Sequence, residues 1–227
     1  MNWDGYATAW AGLHGGFDPR RASPLVRGWL RMAYAMGKAL ARLGVSPTAV
    51  TGAGLALSVA VPLAAALGPG WPAAAAGLVL LGAAADSADG AVAVVTRRAT
   101  RLGYLYDSMA DRVGELCWAA ALSVVGAPWP LAVGCAALSW LHEYARARAG
   151  SVGMTRIGAV TVGERPTRVS VALVGLLAGG GCGLLRPELQ AGTLTLAAVA
   201  WLTFALAGLG QLVGAVRRDL AGRPADR

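Results

Sequence analysis

Charged residues are scarce in this chain: they make up 14% of its 227 residues, against about 25% in an ordinary soluble domain. Apolar residues make up 56%. A single soluble core of this size could not hide so much apolar side chain, whereas a bilayer can. The composition therefore excludes a disordered chain and an ordinary cytosolic enzyme and favours a polytopic membrane protein. The net charge of +8 then reflects loops near anionic headgroups, and we expect no nucleic-acid partner.

Cysteine and histidine are also rare, with three and two residues respectively. Cys117, Cys135 and Cys182 lie singly in apolar stretches, with no CxxC pair and no nearby pair of histidines. This excludes a disulfide framework and a zinc site, and we expect the three cysteines to be packing residues. The first residues lack the charged, apolar and small-residue regions of a signal peptide, so we expect them to be retained.

Six apolar segments have the length of about 17 to 25 residues that a bilayer-spanning helix needs. They cover residues 48–67, 72–96, 103–125, 129–149, 168–185 and 190–215. We therefore predict an all-α polytopic membrane protein with six transmembrane helices. The predicted organisation is an N-terminal cytoplasmic and interfacial segment at residues 1–46, a six-helix membrane domain at 47–216 and a basic cytoplasmic tail at 217–227.

The stretch from Pro24 to Leu43 is amphipathic. Its apolar residues recur at spacings of three and four, and its basic residues share the opposite face. The apolar set is Leu25, Trp29, Met32, Met36, Leu40 and Leu43, and the basic set is Arg27, Arg31, Lys38 and Arg42. This pattern predicts a helix that lies in the membrane interface, with its apolar face at the acyl boundary.

Basic residues are distributed unevenly between the connections. The three odd-numbered connections contain only one, Arg186, whereas the others and the termini carry the rest, including Arg156, Arg223 and Arg227. The positive-inside rule predicts that both termini are cytoplasmic. Trp71 and Trp129 then lie in outer turns at headgroup level. We expect a multi-pass protein of the cell membrane.

Four aspartates lie inside apolar segments, where each charge costs at least about 2.5 to 3.5 kcal/mol on insertion scales. Asp86 and Asp89 are three residues apart, and Asp107 and Asp111 are four apart, so each pair shares a helical face. A hairpin of two helices can bring the pairs face to face, where a divalent cation would offset their repulsion. Oxygen ligands with no His or Cys nearby select Mg²⁺ or Mn²⁺, and four charges could hold one or two ions.

Small residues beside these acids leave a notch at Gly90 and Ala93 where a phosphorylated ligand could approach the backbone. The alternative is plain small-residue helix packing. The combined pattern is Asp86-x-x-Asp89-Gly90-x-x-Ala93, then Gly103-x-x-x-Asp107-x-x-x-Asp111. It resembles the signature of the CDP-alcohol phosphotransferase family, D-x-x-D-G-x-x-A-R-x(8)-G-x-x-x-D-x-x-x-D.

One fixed position departs from that signature. Val94 stands where the family has an arginine that is expected to help hold the nucleotide diphosphate. Arg97 and Arg98 lie about one turn further on and are candidates to replace it. A weakened or altered donor site is the other interpretation.

The stretch Gly44-Val45-Ser46-Pro47-Thr48-Ala49-Val50-Thr51 is similar to the family's start of the first spanning helix. Read physically, Pro47 pre-sets a helix start and Ser46 is a candidate N-cap. The resemblance implies that the CDP-lipid is bound by Thr48, Ala49, Val50, Thr51, Gly90, Ala93 and Thr100.

Two further motifs resemble the bacterial branch of the family that makes phosphatidylinositol phosphate. They are Tyr144-Ala145-Arg146-Ala147-Arg148-Ala149 and Glu164-Arg165-Pro166-x-Arg168. The branch has lysine at the position of Arg146 and glutamate at that of Gly150. The resemblance implies that Arg146, Arg165 and Arg168 bind the phosphate of an acceptor alcohol, since guanidinium matches phosphate. The alternative is that these arginines only satisfy the positive-inside bias.

The family resemblance implies transfer of a phosphatidyl group from CDP-diacylglycerol to an alcohol, with release of CMP. Asp86, Asp89, Asp107 and Asp111 would hold Mg²⁺ or Mn²⁺, and Asp111 would also be the general base. The acceptor is expected to be a phosphorylated polyol, inositol phosphate or glycerol phosphate. The active site is expected to face the cytoplasm, and the protein to be a homodimer.

Two other functions stay open at this point. One is a catalytically impaired family member, or a membrane protein that binds cations without transferase activity. The other is an ion or proton carrier, which the scarcity of ionisable residues in the outer halves of the segments disfavours. Glu115 is expected to form an ion pair with Arg112 or Arg146, and His142 and Glu143 are expected to orient the fourth segment.

Overall fold

A computed structural model of the chain describes residues 1–154 and 160–221. Within those ranges all regular structure is helical, which confirms the predicted all-α class. The helices are α1 (Trp3–Leu13), α2 (Pro24–Arg42), α3 (Pro47–Ala65), α4 (Trp71–Thr96), α5 (Arg101–Val124), α6 (Trp129–Ser151), α7 (Arg165–Leu185) and α8 (Pro187–Leu220), with a 3₁₀ turn at Pro19–Arg21. Arg156 and the part of the predicted tail at residues 222–227 lie outside the described residues.

Local capping chemistry explains where the first helices begin. The Ser23 hydroxyl accepts the Val26 N–H at 3.4 Å, and Pro24 supplies a first residue that needs no partner for an N–H. The predicted cap at Ser46 is confirmed, because its Oγ accepts the Ala49 N–H at 3.2 Å. Helix α2 matches the predicted amphipathic helix and ends one residue earlier.

The six predicted apolar segments correspond to helices α3 to α8. Four of these, α3, α4, α7 and α8, are long and apolar enough to cross a membrane, which supports a multi-pass membrane protein. Helices α5 and α6 are not among these four, and their crossing of the bilayer stays a prediction. Helix α8 extends to Leu220, beyond the end predicted at residue 215.

The described chain forms two compact units. The first consists of Met1–Ser58 and Leu80–Gly114, and the second of Val59–Val79 and Glu115–Arg227, of which residues to 221 are described. These boundaries fall inside helices α3, α4 and α5. The predicted division at residues 46 and 216 separates segments by membrane location, and it stays a prediction.

In the first unit, α1 and α2 pack with the end of α4. Tyr6 is fully buried with Ala33, Ala91 and Val94, and burial raises the pKa of Tyr6 to about 12. A Cβ built on Gly37 of α2 would lie 2.6 Å from the Ala91 Cβ, so glycine is needed for this close approach. The sequence did not predict α1, whose fold depends on this distant packing.

In the second unit, α6 and α7 pack against α8. The large buried side chains of its core include Trp118, Leu122, Leu176, Leu194 and Trp201. The Trp201 indole N–H donates to the Ser139 hydroxyl at 3.0 Å, which satisfies both polar groups in the apolar interior. A Cβ built on Gly175 of α7 would lie 2.5 Å from the Ala197 Cβ of α8, which fits the predicted role of small residues in helix contacts.

Candidate active site

Three carboxylates come together in the first unit, as predicted from the spacing of the acids. Asp86 of α4 and Asp107 and Asp111 of α5 each offer an oxygen atom, and these oxygens all lie within 4.8 Å of one another. We call these three residues the acid group. Each is partly buried, so the carboxylates can reach a ligand while the bulk solvent screens their repulsion only in part.

Asp89, the fourth predicted metal ligand, is 6% exposed. Its Oδ2 accepts a hydrogen bond from the Thr51 hydroxyl at 2.5 Å, and that hydroxyl also lies 3.1 Å from the Pro47 carbonyl oxygen. Sequence reasoning assigned Thr51 to the CDP-lipid and missed its contact with Asp89. Nothing in the linear pattern indicates this contact, because the two residues lie on different helices.

The first glycine of the motif, Gly90 in α4, leaves open space. A Cβ built on Gly90 would meet no heavy atom within 4 Å, and Gly90 is exposed. This agrees with the predicted notch beside the acids. Val94, one turn further on, is buried against Tyr6 and Ala91, so the position that departs from the family signature has become part of an apolar cluster.

The connection between α4 and α5 has a constrained backbone. Arg97 has a φ of +56°, a left-handed conformation that L residues other than glycine adopt at a cost. The Arg98 N–H donates to the Ala93 carbonyl at 2.9 Å and the Arg97 N–H to the Val94 carbonyl at 3.2 Å, which is the Schellman pattern of helix ends. The Thr100 hydroxyl accepts the Gly103 N–H at 3.0 Å and caps α5.

Three other residues predicted to bind the CDP-lipid lie in the first turn of α3, and Ala93 lies in α4. Thr48 and Ala49 are exposed. The Val50 side chain is instead buried with Ala88 and Val92 of α4, so it packs this end of the unit. Near the acid group, Arg112 Nη2 lies 3.7 Å from Asp111 Oδ2.

A second group of charged residues lies in the second unit, and we call it the arginine network. It comprises Arg146 and Arg168 with their contacts Glu115, His142, Glu143, Thr161 and Glu164. Glu115 does form an ion pair, with Arg168 at 2.9 Å, a partner that was not among the predicted arginines. His142 and Glu143 both contact Arg168, and their role in orienting the fourth segment stays a prediction.

Arg165, the third arginine predicted to bind the acceptor, begins α7. Its guanidinium carbon lies 5.7 Å from the centre of the Trp118 ring, a distance at which a cation is attracted by the aromatic face. The roles of Arg146, Arg165 and Arg168 in acceptor binding stay predictions.

Comparison with known proteins places these residues in a family. The model of the CDP-alcohol phosphatidyltransferase family matches residues 45–210. The chain is 31% identical over 155 residues to phosphatidylinositol phosphate synthase of Mycolicibacterium smegmatis, covering 65% of this chain and 68% of that protein. It is 32% identical over 152 residues to archaetidylinositol phosphate synthase of Aeropyrum pernix, covering 65% and 74%.

Solved structures agree with this result. The crystal structure of Mycobacterium tuberculosis phosphatidylinositol phosphate synthase with CDP-DAG bound is 25% identical, with a TM-score of 0.66, and the match covers 87% of this chain and 99% of that one. The same enzyme in complex with manganese and citrate matches with 25% identity and a TM-score of 0.65 over 86% and 93%. The chain therefore belongs to the CDP-alcohol phosphatidyltransferase family and is a membrane transferase of phospholipid biosynthesis that moves a phosphatidyl group to an alcohol.

Proposed function

We propose that this enzyme transfers the phosphatidyl group of CDP-diacylglycerol to a hydroxyl of a phosphorylated polyol, inositol phosphate or glycerol phosphate, and releases CMP. The observation that carries the proposal is that the carboxylates of the acid group lie close to one another and occupy fixed positions of the family signature. Two relatives are named as synthases of inositol phosphate lipids, and one solved relative holds CDP-DAG.

The family depends on a divalent cation, and a solved relative contains manganese. The residues present fit such an ion, because three carboxylate oxygens within 4.8 Å of one another are hard ligands. We assign Mg²⁺ or Mn²⁺ to Asp86, Asp89, Asp107 and Asp111. A bound cation would withdraw charge from the phosphorus under attack and stabilise the departing CMP.

In the proposed reaction Asp111 acts as general base. It takes the proton from the acceptor hydroxyl, whose oxygen forms a bond to the phosphorus that carries the diacylglycerol. The bond from that phosphorus to the bridging oxygen of CMP breaks, and CMP leaves with that oxygen.

The CDP-lipid is assigned to the end of the first unit that carries the motif residues, Thr48, Ala49, Val50, Thr51, Gly90, Ala93 and Thr100. The open space at Gly90 supports this assignment, since a ligand can approach the backbone there. Thr51 is assigned a second role, because its hydroxyl donates a hydrogen bond that orients the Asp89 carboxylate. The acceptor-phosphate pocket is assigned to arginines of the second unit, Arg146, Arg165 and Arg168, which either contact the phosphate or hold the residues that do.

The proposed setting is the cell membrane, with six spans, α2 in the interface, both termini and the active site in the cytoplasm, and a homodimer as the assembly. The asymmetry of basic residues between connections supports this orientation. Single cysteines introduced at Gly68 and Arg98 in a cysteine-free background test it. A membrane-impermeant maleimide added to intact cells should label position 68 and not position 98.

The function is tested by incubating purified protein with CDP-diacylglycerol, Mg²⁺ and one acceptor at a time: inositol 1-phosphate, glycerol 3-phosphate, inositol or serine. CMP release and the mass of the lipid formed are measured. We expect product only with a phosphorylated polyol. Equal rates with free inositol would overturn the acceptor assignment, and no CMP release with any acceptor would favour a cation-binding protein without transferase activity.

A further inference from the structure

Arg168 lies in the interior of the second unit rather than at an open surface. Its side chain is 2% exposed, and that of Glu115, its closest ionic partner, is 0% exposed. His142 is also fully buried. A buried charge is stable only when it is paired and hydrogen-bonded, so the contacts of this guanidinium determine what it can do.

All three nitrogen atoms of Arg168 contact protein acceptors. Nε donates to the Gly163 carbonyl at 2.8 Å and Nη1 to Glu115 Oε1 at 2.9 Å. Nη2 donates to Glu143 Oε1 at 3.2 Å and lies 3.3 Å from His142 Nδ1. A phosphate binds arginine best through two parallel N–H bonds, and here it would have to displace buried ionic partners to obtain them.

The contacts continue from Arg168 to the residues just before α7. A His142 Nδ1 that accepts from Arg168 leaves the ring proton on Nε2, which lies 2.9 Å from the Thr161 hydroxyl oxygen. The Thr161 hydroxyl in turn donates to Glu164 Oε1 at 3.0 Å, and the Thr161 N–H donates to the same oxygen at 3.0 Å. Together with the bond to Gly163, this chain fixes the backbone from which Arg165 extends.

The network becomes more exposed at its other end. Glu164 also accepts a hydrogen bond from Arg146 Nη2, and the side chains of these two residues are 24% and 27% exposed. Arg146 and Arg165 are therefore the members of the predicted acceptor set that are only partly buried. Arg168 contacts the same segment from the inside.

We propose that Arg168 is a positioning residue. Its contacts with Glu115, Glu143, His142 and Gly163 hold the Thr161–Arg165 segment in place. Arg146 and Arg165, and not Arg168 itself, then contact the acceptor phosphate. The part that concerns the acceptor rests on the proposed function. The part that concerns the segment does not. The Glu115 carboxylate does not itself bind a phosphate anion. The effect of replacing Glu115 therefore helps to separate positioning from direct binding.

Glu115→Gln, Arg168→Gln and the double variant make the test. If Arg168 bound phosphate directly, Glu115→Gln would change the acceptor KM only by displacing the guanidinium, and hydrogen exchange of residues 160–168 without substrates would stay at the wild-type rate. Positioning predicts that both single variants raise the KM for inositol 1-phosphate or glycerol 3-phosphate about tenfold, with the KM for CDP-diacylglycerol nearly unchanged. The acceptor KM of the double variant should be no higher than that of either single variant, because Glu115 and Arg168 act through the same ion pair.

Hydrogen exchange of residues 160–168, measured without substrates, supplies the second readout. We expect faster exchange in both single variants. Glu188→Gln is the matched control, since its pair with Arg186 at 3.8 Å is exposed, and it should change neither readout. Arg168→Lys keeps the positive charge near Glu115 but lacks the planar set of N–H donors of the guanidinium group. This variant should fold, but it should raise the acceptor KM and speed hydrogen exchange.

A raised KM in Arg168→Gln with none in Glu115→Gln, or losses that multiply in the double variant, would overturn the proposal. So would unchanged exchange in both Arg168→Gln and Arg168→Lys. If the wild-type protein used neither phosphorylated acceptor, the proposed function would fail, while the exchange measurement would still decide whether Arg168 positions the segment.

Discussion

The acid group and the arginine network use carboxylates in opposite ways. In the acid group, carboxylates of α4 and α5 converge on one another within 4.8 Å and are partly buried. In the arginine network, each glutamate faces an arginine of the same unit, and the deepest pair is almost completely buried. The first arrangement suits the binding of an added cation, whereas the second contains its own cations and suits structural support.

The largest effect is expected inside the acid group. Asp111→Asn keeps the size of the side chain and removes the base, so kcat should fall by about 10² to 10⁴-fold. CMP release from CDP-diacylglycerol at saturating Mg²⁺ and acceptor measures it. Asp4→Asn, which changes an exposed carboxylate of α1, is the control. A wild-type rate in Asp111→Asn would contradict the role of the acid group.

The second prediction compares the two groups in stability. Glu115→Gln leaves Arg168 buried without its closest carboxylate and should lower the free energy of unfolding by about 3 kcal/mol. Asp107→Asn, at a partly buried site, should lower it by less than about 1 kcal/mol while it greatly reduces activity. Thermal unfolding in detergent measures both. Equal losses of stability would mean that the two groups do not differ in the way described.

The third prediction concerns Thr51, whose hydroxyl donates to Asp89. Thr51→Val keeps the shape but leaves a buried carboxylate without this bond, which is a loss of about 1.5 to 3 kcal/mol for a charge-assisted hydrogen bond. The Mg²⁺ concentration for half-maximal activity should rise, and Mn²⁺ binding measured by electron paramagnetic resonance should weaken. Thr51→Ser should restore both, whereas a defect that serine does not rescue would exclude the hydrogen bond as the cause.

Two glycines of the first unit separate ligand access from packing. Gly90→Ala enters open space, so it should leave the melting temperature within a few degrees of wild type and raise the KM for CDP-diacylglycerol. Gly37→Ala meets Ala91, and overpacking of this kind costs about 1 to 3 kcal/mol. A lower melting temperature in Gly37→Ala alone is expected. If both variants lost stability equally, Gly90 would be a packing residue.

The smallest effect is expected at Arg97, with its φ of +56°. Arg97→Gly should relieve about 1 kcal/mol of backbone cost, and Arg97→Ala should not. If Arg97 replaces the arginine that Val94 lacks, both variants should raise the KM for CDP-diacylglycerol equally. A normal KM in both variants would leave the donor phosphates to other residues.

Regular spacing made much of the fold and the acid group predictable. Apolar length predicted the six long helices, and the three- and four-residue spacing of the acids predicted that helices α4 and α5 bring carboxylates together, which is confirmed for Asp86, Asp107 and Asp111. Both properties belong to single helices or to one hairpin, so they can be read along the chain.

Contacts between distant helices were not predictable in the same way. The Thr51–Asp89 bond, the Glu115–Arg168 pair and the packing of α1 each depend on which helices become neighbours. Sequence reasoning named Arg112 or Arg146 as the partner of Glu115 and did not find Arg168. A polar residue in an apolar segment indicates that a partner exists, but the identity of the partner depends on tertiary packing.

The burial of Tyr6 has a consequence for the order in which the chain folds. Its partners Ala91 and Val94 lie at the far end of α4, so α1 is synthesised long before the surface on which it packs. Closing such a long loop costs chain entropy before any contact stabilises it. The Tyr6 cluster can therefore be completed only after α4 has been synthesised, and a fusion that holds back the first residues would leave Ala91 and Val94 without this partner.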